Sequence, residues 1–128
     1  MSNTTTTLVP DTSPGFCYCT IHRDNIYVSR SRYNTITCYS MKGDELWEFK
    51  DSSVITCPSG IAVDNSSNVY VTSINNNSVV VLSPDGRRSR TLLTEKDGMN
   101  GPHTLHINRS NNQLMVVNYH GPAFLFDL

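Results

Sequence analysis

Short apolar runs alternate with polar turns along this chain, and the runs recur. Ile26-Tyr27-Val28, Val69-Tyr70-Val71 and Leu114-Met115-Val116 are one apolar triplet repeated at separations of 43 and then 45 residues. Ser40-Met41-Lys42-Gly43 matches Ser83-Pro84-Asp85-Gly86, 43 residues on. Pro58-Ser59-Gly60-Ile61-Ala62-Val63-Asp64 matches Pro102-His103-Thr104-Leu105-His106-Ile107-Asn108, 44 residues on. Val, Ile, Thr and Tyr dominate the runs, and Asn, Ser, Gly and Pro fill the gaps. That is strand and turn chemistry, and no segment carries a helical period.

Each unit reads as a four-stranded antiparallel meander. In the middle copy strand a covers Gly60–Asp64, strand b Val69–Thr72, strand c Val79–Leu82 and strand d about Ser89–Leu93. Ser83-Pro84-Asp85-Gly86 makes the tight c–d turn, with proline presetting φ and glycine closing it. Glu45-Leu46-Trp47-Glu48-Phe49 alternates as a half-exposed outer strand should. Ile61-Ala62-Val63 and Val79-Val80-Val81-Leu82 are apolar without a break, so both of their faces need cover. Stacked neighbours supply that cover, and short-strand repeats of this length are the pattern of propeller blades. The expectation is an all-β, partial β-propeller of about three blades, near 15–50, 55–94 and 100–128. The last blade is incomplete, ending in its strand c at Phe124–Leu128. Residues 1–14, rich in Thr, Ser and Pro, read as a disordered linker, and Thr7-Leu8-Val9 is a lesser candidate for an extra edge strand.

Closed propellers have four to eight blades. Three readings account for the shortfall: a fragment of a longer protein, two halves closing as a symmetric dimer, or pairing with another chain. The first is favoured.

Composition narrows the function classes. Ten Lys+Arg against eleven Asp+Glu give a formal charge of −1. This argues against a uniformly basic nucleic-acid surface, and neither DNA nor a membrane is expected as a partner. The start Met-Ser-Asn-Thr lacks a basic, apolar leader, so a cytoplasmic location with reduced thiols is expected. Cys17-x-Cys19 sits on one strand face and reads as two small buried residues. No paired Cys/His knuckle is present for zinc, and no cofactor or metal is expected.

Pro58–Asp64, Asn68–Thr72 and Asn77–Gly86 resemble an NHL repeat through one whole blade. Phe16–Leu128 is similar to the C-terminal NHL propeller of tripartite-motif (TRIM) proteins. The first copy lacks the Pro-Gly-Ile start, and the third has Thr104 in place of the glycine and Asn108 in place of the usual Asp. The resemblance implies a module that recognises protein partners or, in some members, RNA. In that family ubiquitin-ligase catalysis belongs to a RING finger, for which this sequence has no Cys/His pattern. The chain is therefore expected to be no enzyme on its own, but the substrate- or partner-recognition part of a TRIM-type E3 ubiquitin ligase.

Alternate turns of a meander emerge on opposite sides, so the b–c loops and d–a connectors share one face, where recognition is expected. That face should carry Arg30, Ser31, Arg32, Tyr33 and Asn34, then Asn75, Asn76 and Asn77, then Asn118, Tyr119 and His120. The connectors add Asp51-Ser52-Ser53, Lys96-Asp97 and Asn100. Arg30-Ser31-Arg32-Tyr33 joins two cations to an aromatic ring, which suits single-stranded RNA as the second reading. Arg87-Arg88-Ser89-Arg90 should lie on the opposite face as a charged outer strand. His22 falls in the first copy and His103, His106 and His120 in the third, on different strands and loops, and they read as no single metal or acid–base cluster. His106 aligns with Ala62 and reads as a core histidine. The inner positions carry mostly apolar side chains, so a metal-dependent lactonase-like hydrolase is disfavoured.

Overall fold

The computed structural model describes Thr5 and residues 17–128. The linker read for residues 1–14, with its Thr7-Leu8-Val9 stretch, lies outside the described residues. Among the described residues, eleven strands form three antiparallel sheets, each a meander in chain order. The first sheet holds β1 (Cys17–His22), β2 (Asn25–Arg30), β3 (Thr35–Ser40) and β4 (Glu45–Lys50). The second holds β5 (Pro58–Val63), β6 (Val69–Ser73), β7 (Ser78–Leu82) and β8 (Ser89–Leu93). The third holds β9 (Pro102–Asn108), β10 (Gln113–Asn118) and β11 (Ala123–Asp127). The only helical turns among the described residues are short 3-10 turns at Ile74–Asn76 and Glu95–Asp97. No helix there is long and apolar enough to cross a membrane.

The sheets stack with the second in the middle. Tyr27, Ile36 and Cys38 of the first sheet pack on Ile61, Val63, Val69, Val71, Val80 and Leu82 of the second. On the other side Tyr70 and Val79 meet Leu114, Val116, Leu105, Phe124 and Phe126 of the third. Successive residues of a strand point to opposite faces. In β6, Val69 and Val71 therefore serve one core and Tyr70 the other. This is why the middle strands are apolar throughout: β5 and β6 are buried at every residue. Each such aliphatic side chain contributes roughly 1.5–3 kcal/mol when fully buried.

Each junction also carries its own hydrogen bonds. The Ser29 hydroxyl donates to the Ser59 carbonyl at 2.7 Å, and one repeat later the Thr72 hydroxyl donates to the His103 carbonyl at 3.2 Å. Asn34 Oδ1 accepts from the Cys57 N–H at 2.8 Å, and Asn77 Oδ1 accepts from the Gly101 N–H, also at 2.8 Å. Both asparagines sit at positive φ, 55° and 47°. Few side chains besides Asn tolerate that backbone while offering an acceptor. On the far rim the Trp47 indole N–H donates to the Pro84 carbonyl at 3.0 Å. Gly86, with φ 71°, closes the turn beneath that ring.

The outward face of the third sheet differs. Thr104, His106, Met115 and Leu125 are exposed there. His106 is therefore not a core histidine: among the described residues no sheet lies over it, although its counterpart Ala62 is covered by the third sheet. Val117 stands on β10 where β2 and β6 carry Ser29 and Thr72. The β10–β11 turn carries Gly121 and Pro122 instead of a latching asparagine. Cys19 also departs from expectation, being exposed on the outward side of β1, with Cys17 half-buried.

Candidate functional site

The b–c turns and d–a connectors do share one face, and hydrogen bonds tie them together there. Thr56 N–H donates to Ser73 Oγ at 2.8 Å, and the Thr56 and Cys57 carbonyls accept from the Asn75 and Ile74 N–H groups, each at 3.3 Å. Asn76 Nδ2 donates to the Val54 carbonyl at 3.1 Å. In the third copy, buried Asn118 accepts from the Asn100 N–H at 3.1 Å and donates to the Gly98 carbonyl at 3.0 Å. Asn100 Nδ2 in turn donates to the His120 carbonyl at 3.0 Å. The connectors are similarly tied: Asp51 Oδ1 accepts from Ser53, and Asp97 Oδ2 accepts from the Thr94 N–H beside Lys96.

The expected recognition residues divide into two groups. Arg32, Tyr33, Asn75, Tyr119 and His120 are exposed and face outward from the loops. Asn34, Asn76 and Asn77 spend their side chains on neighbouring backbone, and Asn77 Nδ2 also donates to Glu95 Oε1 at 2.9 Å. Arg30, expected among the loop cations, is buried in the first sheet. Its guanidinium donates to Thr37 Oγ1 at 3.0 Å and to the Tyr39 hydroxyl at 2.8 Å. The reason is its place: Arg30 is the last residue of β2, opposite Thr35, so its side chain follows the sheet instead of the turn. Arg87, Arg88 and Arg90 are exposed at the c–d turn and β8, away from this face.

Between the loops lies a cavity of about 330 Å³ lined by all three sheets and their connectors. Tyr18 and Ser31 come from the first repeat, Cys57, Ser59 and Ile74 from the second, and His103 and Tyr119 from the third. The Tyr18 hydroxyl lies 3.5 Å from His103 Nε2, and the two rings meet edge to face at 5.8 Å. The His103 ring lies 5.8 Å from that of Tyr119, which in turn meets the His120 ring at 4.7 Å. Cys57 holds a positive φ of 55°, fixed by the bond to Asn34. Ser59 is 1% exposed, and its hydroxyl has no hydrogen-bond partner among the described residues.

Sequence reasoning named Ser31 and Tyr119 of this set but placed neither Tyr18, Cys57, Ser59, Ile74 nor His103 in a site. One signal was available. Ser59 and His103 occupy the same position in two aligned copies, at the start of strand a, where the following residues are apolar in the middle copy. Polar side chains at the mouth of an inner strand mark the end of the stack where loops converge.

No protein-family model matches the chain, and no curated protein matches it. Solved structures do. A catalytically inactive variant of virginiamycin B lyase from Staphylococcus aureus, solved with quinupristin, has a TM-score of 0.64 at 18% identity. The match covers 94% of this chain and 43% of that one. The fold is a β-propeller's. A streptogramin B lyase gives a TM-score of 0.62 at 18% identity, over 86% of this chain and 39% of the other. A protein of unknown function from Bacteroides caccae gives 0.50 at 17%, over 90% and 48%. The chain thus spans less than half the length of these propellers, and its three sheets are blades of that architecture.

Proposed function

We propose that this propeller is a protein-interaction scaffold that recognises its partner through the b–c loop face, as the substrate- or partner-recognition part of a TRIM-type E3 ubiquitin ligase. The observation that carries the reading is the convergence of three blades on one cavity that exposed Tyr119 lines, with exposed Arg32, Tyr33, Asn75 and His120 on the b–c loops of the same repeats. Loops held by a rigid scaffold favour recognition because ordering them on binding costs little further entropy. Exposed aromatics beside a concave site are the side chains that most often anchor protein partners. The blade-long resemblance of Pro58–Gly86 to an NHL repeat supports the TRIM-type assignment.

The RNA reading keeps Arg32 and Tyr33 as its cation and ring, with Arg30 engaged inside the first sheet. A peptide-display selection on the full chain, repeated with Tyr119→Ala, tests the proposal. Selected peptides should bind the full chain and lose at least tenfold in affinity on the variant. A parallel titration with mixed single-stranded RNA at two salt concentrations is the counter-test. Salt-dependent RNA affinity, with no peptide enriched, would replace the partner-binding reading with an RNA-binding one.

A further inference from the structure

We propose that the outer edge of the second blade is a docking site for an extended acidic segment of a partner protein, separate from the loop face. The blades supply their own comparison. Trp47 pairs with Cys38 of β3, and Arg90 pairs with Val81 of β7, 43 residues on in both strands. The repeat therefore sets Asp44, Glu45 and Trp47 of the first blade against Arg87, Arg88 and Arg90 of the second. The same places hold acids and an indole in one blade and cations in the next, so blade stacking does not require the arginines. All three are exposed.

The indole and the guanidinium also differ in what surrounds them. Trp47 closes the rim between its blade and the next, its N–H donating to the Pro84 carbonyl over Gly86. Arg90 instead lines a cavity of about 330 Å³ together with Arg88, Asn68 and Tyr70. Two guanidiniums on one cavity suit carboxylates, which arginine binds through paired N–H donors. The neighbouring acids are already engaged. Asp64 accepts from the Asn68 side chain and the Tyr70 hydroxyl, and Asp85 accepts from the Ser83 hydroxyl and the Arg87 N–H. Among the described residues, no carboxylate is paired with the Arg88 or Arg90 guanidinium.

The backbone selects a peptide over a nucleic acid. Among the described residues β8 is the last strand of its sheet, so its outer edge carries unpaired N–H and C=O groups. An extended peptide pairs with such an edge and presents alternate side chains to one face. Residues two apart on a strand stand roughly 6.5–7 Å apart, so acids at every second position keep step with Arg88 and Arg90. Single-stranded nucleic acid binds by stacking its bases on rings. The one ring on this cavity, Tyr70, is buried with its hydroxyl on Asp64. The arginines also repel the β8 edge of a second copy, which favours a partner of opposite charge over self-pairing.

A fluorescein-labelled peptide alternating glutamate with valine is titrated onto the full chain and followed by anisotropy. It should bind saturably, more weakly as salt rises, and about tenfold more tightly than its glutamine-for-glutamate analogue. The version with proline for valine keeps every carboxylate but lacks N–H donors for the edge, and it should also lose about tenfold. On Arg88→Glu/Arg90→Glu the glutamate peptide should stop binding, and a lysine-for-glutamate peptide should bind in its place, which shows that the altered edge is folded. Tyr119→Ala, on the opposite face, should leave the glutamate peptide's affinity unchanged.

Absence of saturable binding overturns the inference, as do equal affinities for the glutamate and glutamine peptides or for the valine and proline ones. Unchanged binding on Arg88→Glu/Arg90→Glu overturns it too, as does failure of the lysine peptide to bind that variant. Labelled oligouridylate that outcompetes the glutamate peptide replaces the acidic segment with RNA. A loss on Tyr119→Ala puts the peptide on the loop face and removes this site. Failure of the loop-face reading looks different: no displayed peptide depends on Tyr119, while the glutamate peptide still requires Arg88 and Arg90.

Discussion

Gly60→Ala places one methyl group between two stacked blades and so tests the stacking directly. A Cβ built at Gly60 would lie 2.7 Å from the Leu105 nitrogen, 2.8 Å from the His103 carbonyl oxygen and 2.9 Å from Thr104 Cα. All three are backbone atoms of β9, so no side chain can rotate away. Comfortable contacts need about 3.5 Å or more, so β9 must move off β5 by roughly 0.5–1 Å. A gap of that size forfeits a quarter to a half of the dispersion energy of the atoms lining it. Those atoms belong to the second core, where Leu105, Leu114 and Val116 meet Tyr70 and Val79.

Overpacking of this kind costs about 1–3 kcal/mol. Losing the glycine stiffens the unfolded chain and returns about 0.4–1 kcal/mol. The net expectation is a destabilisation of about 1–2 kcal/mol, read from equilibrium urea unfolding of the full chain. Ser66→Ala, on the exposed a–b turn of the same blade, should change stability by less than about 0.5 kcal/mol. Hydrogen exchange should show the added opening in β9 and spare β2 and β3. If Gly60→Ala unfolds at the same urea concentration as the parent, or a higher one, the second and third blades do not pack as described.

Three further outcomes follow from the same contacts. Gly86→Ala should destabilise by about 2–4 kcal/mol, because its φ of 71° suits glycine and the added carbon would overlap the Trp47 ring; tryptophan fluorescence should shift as the indole is displaced, and an unchanged spectrum would refute that contact. His22 is buried, its Nε2 has no partner among the described residues, and burial first, then Arg109 and Arg23, hold its pKa below 6.5. The unfolded chain therefore binds the proton first, so this contribution is full above about pH 6.5 and is lost as pH falls below it; denaturation at pH 7.5 and 5.5 should show a slope that His22→Leu flattens. Burial and the bond to Asp64 Oδ2 at 2.9 Å push Tyr70 up to about 12, so its contribution is present below pH 10 and lost as pH rises from there toward 12; Tyr70→Phe should cost about 1–2 kcal/mol at neutral pH and make the alkaline loss shallower.

Much of the fold was legible because period and chemistry coincide. The Ser83–Gly86 turn forms with the Gly86 N–H donating to the Ser83 carbonyl at 2.9 Å, as its Pro and Gly require. Strand d at Ser89–Leu93 is where the spacing puts it. What pattern alone missed are cases where a neighbour decides the outcome. His106 aligns with buried Ala62, yet burial at that position comes from the blade beyond, not from the strand's own sequence. Arg30 sits at a loop boundary, and one residue of strand extension turned its guanidinium onto Thr37 and Tyr39. Asn34 and Asn77 looked like recognition residues because they are polar and sit in turns. Their positive φ and their bonds to the next blade's backbone show the second role that such asparagines take.

The site owes its existence to those structural asparagines. The bond from Cys57 N–H to Asn34 fixes the backbone of a residue that lines the cavity, and the bond from Gly101 N–H to Asn77 fixes the strand that presents His103. Gly101 then accepts from the Tyr119 N–H at 2.6 Å, which sets the ring at the rim. Each latch crosses a blade junction, so no single blade contains the pocket. Asn77→Ala, far from the cavity floor, should therefore displace His103 and Tyr119 together. Their paired ring shifts by NMR would measure this, with the Tyr18 ring signal on its His103 contact moving as well and the Trp47 signals staying fixed. If His103 and Tyr119 keep their positions without Asn77, the loops hold the pocket by themselves and the junction bonds are incidental to it.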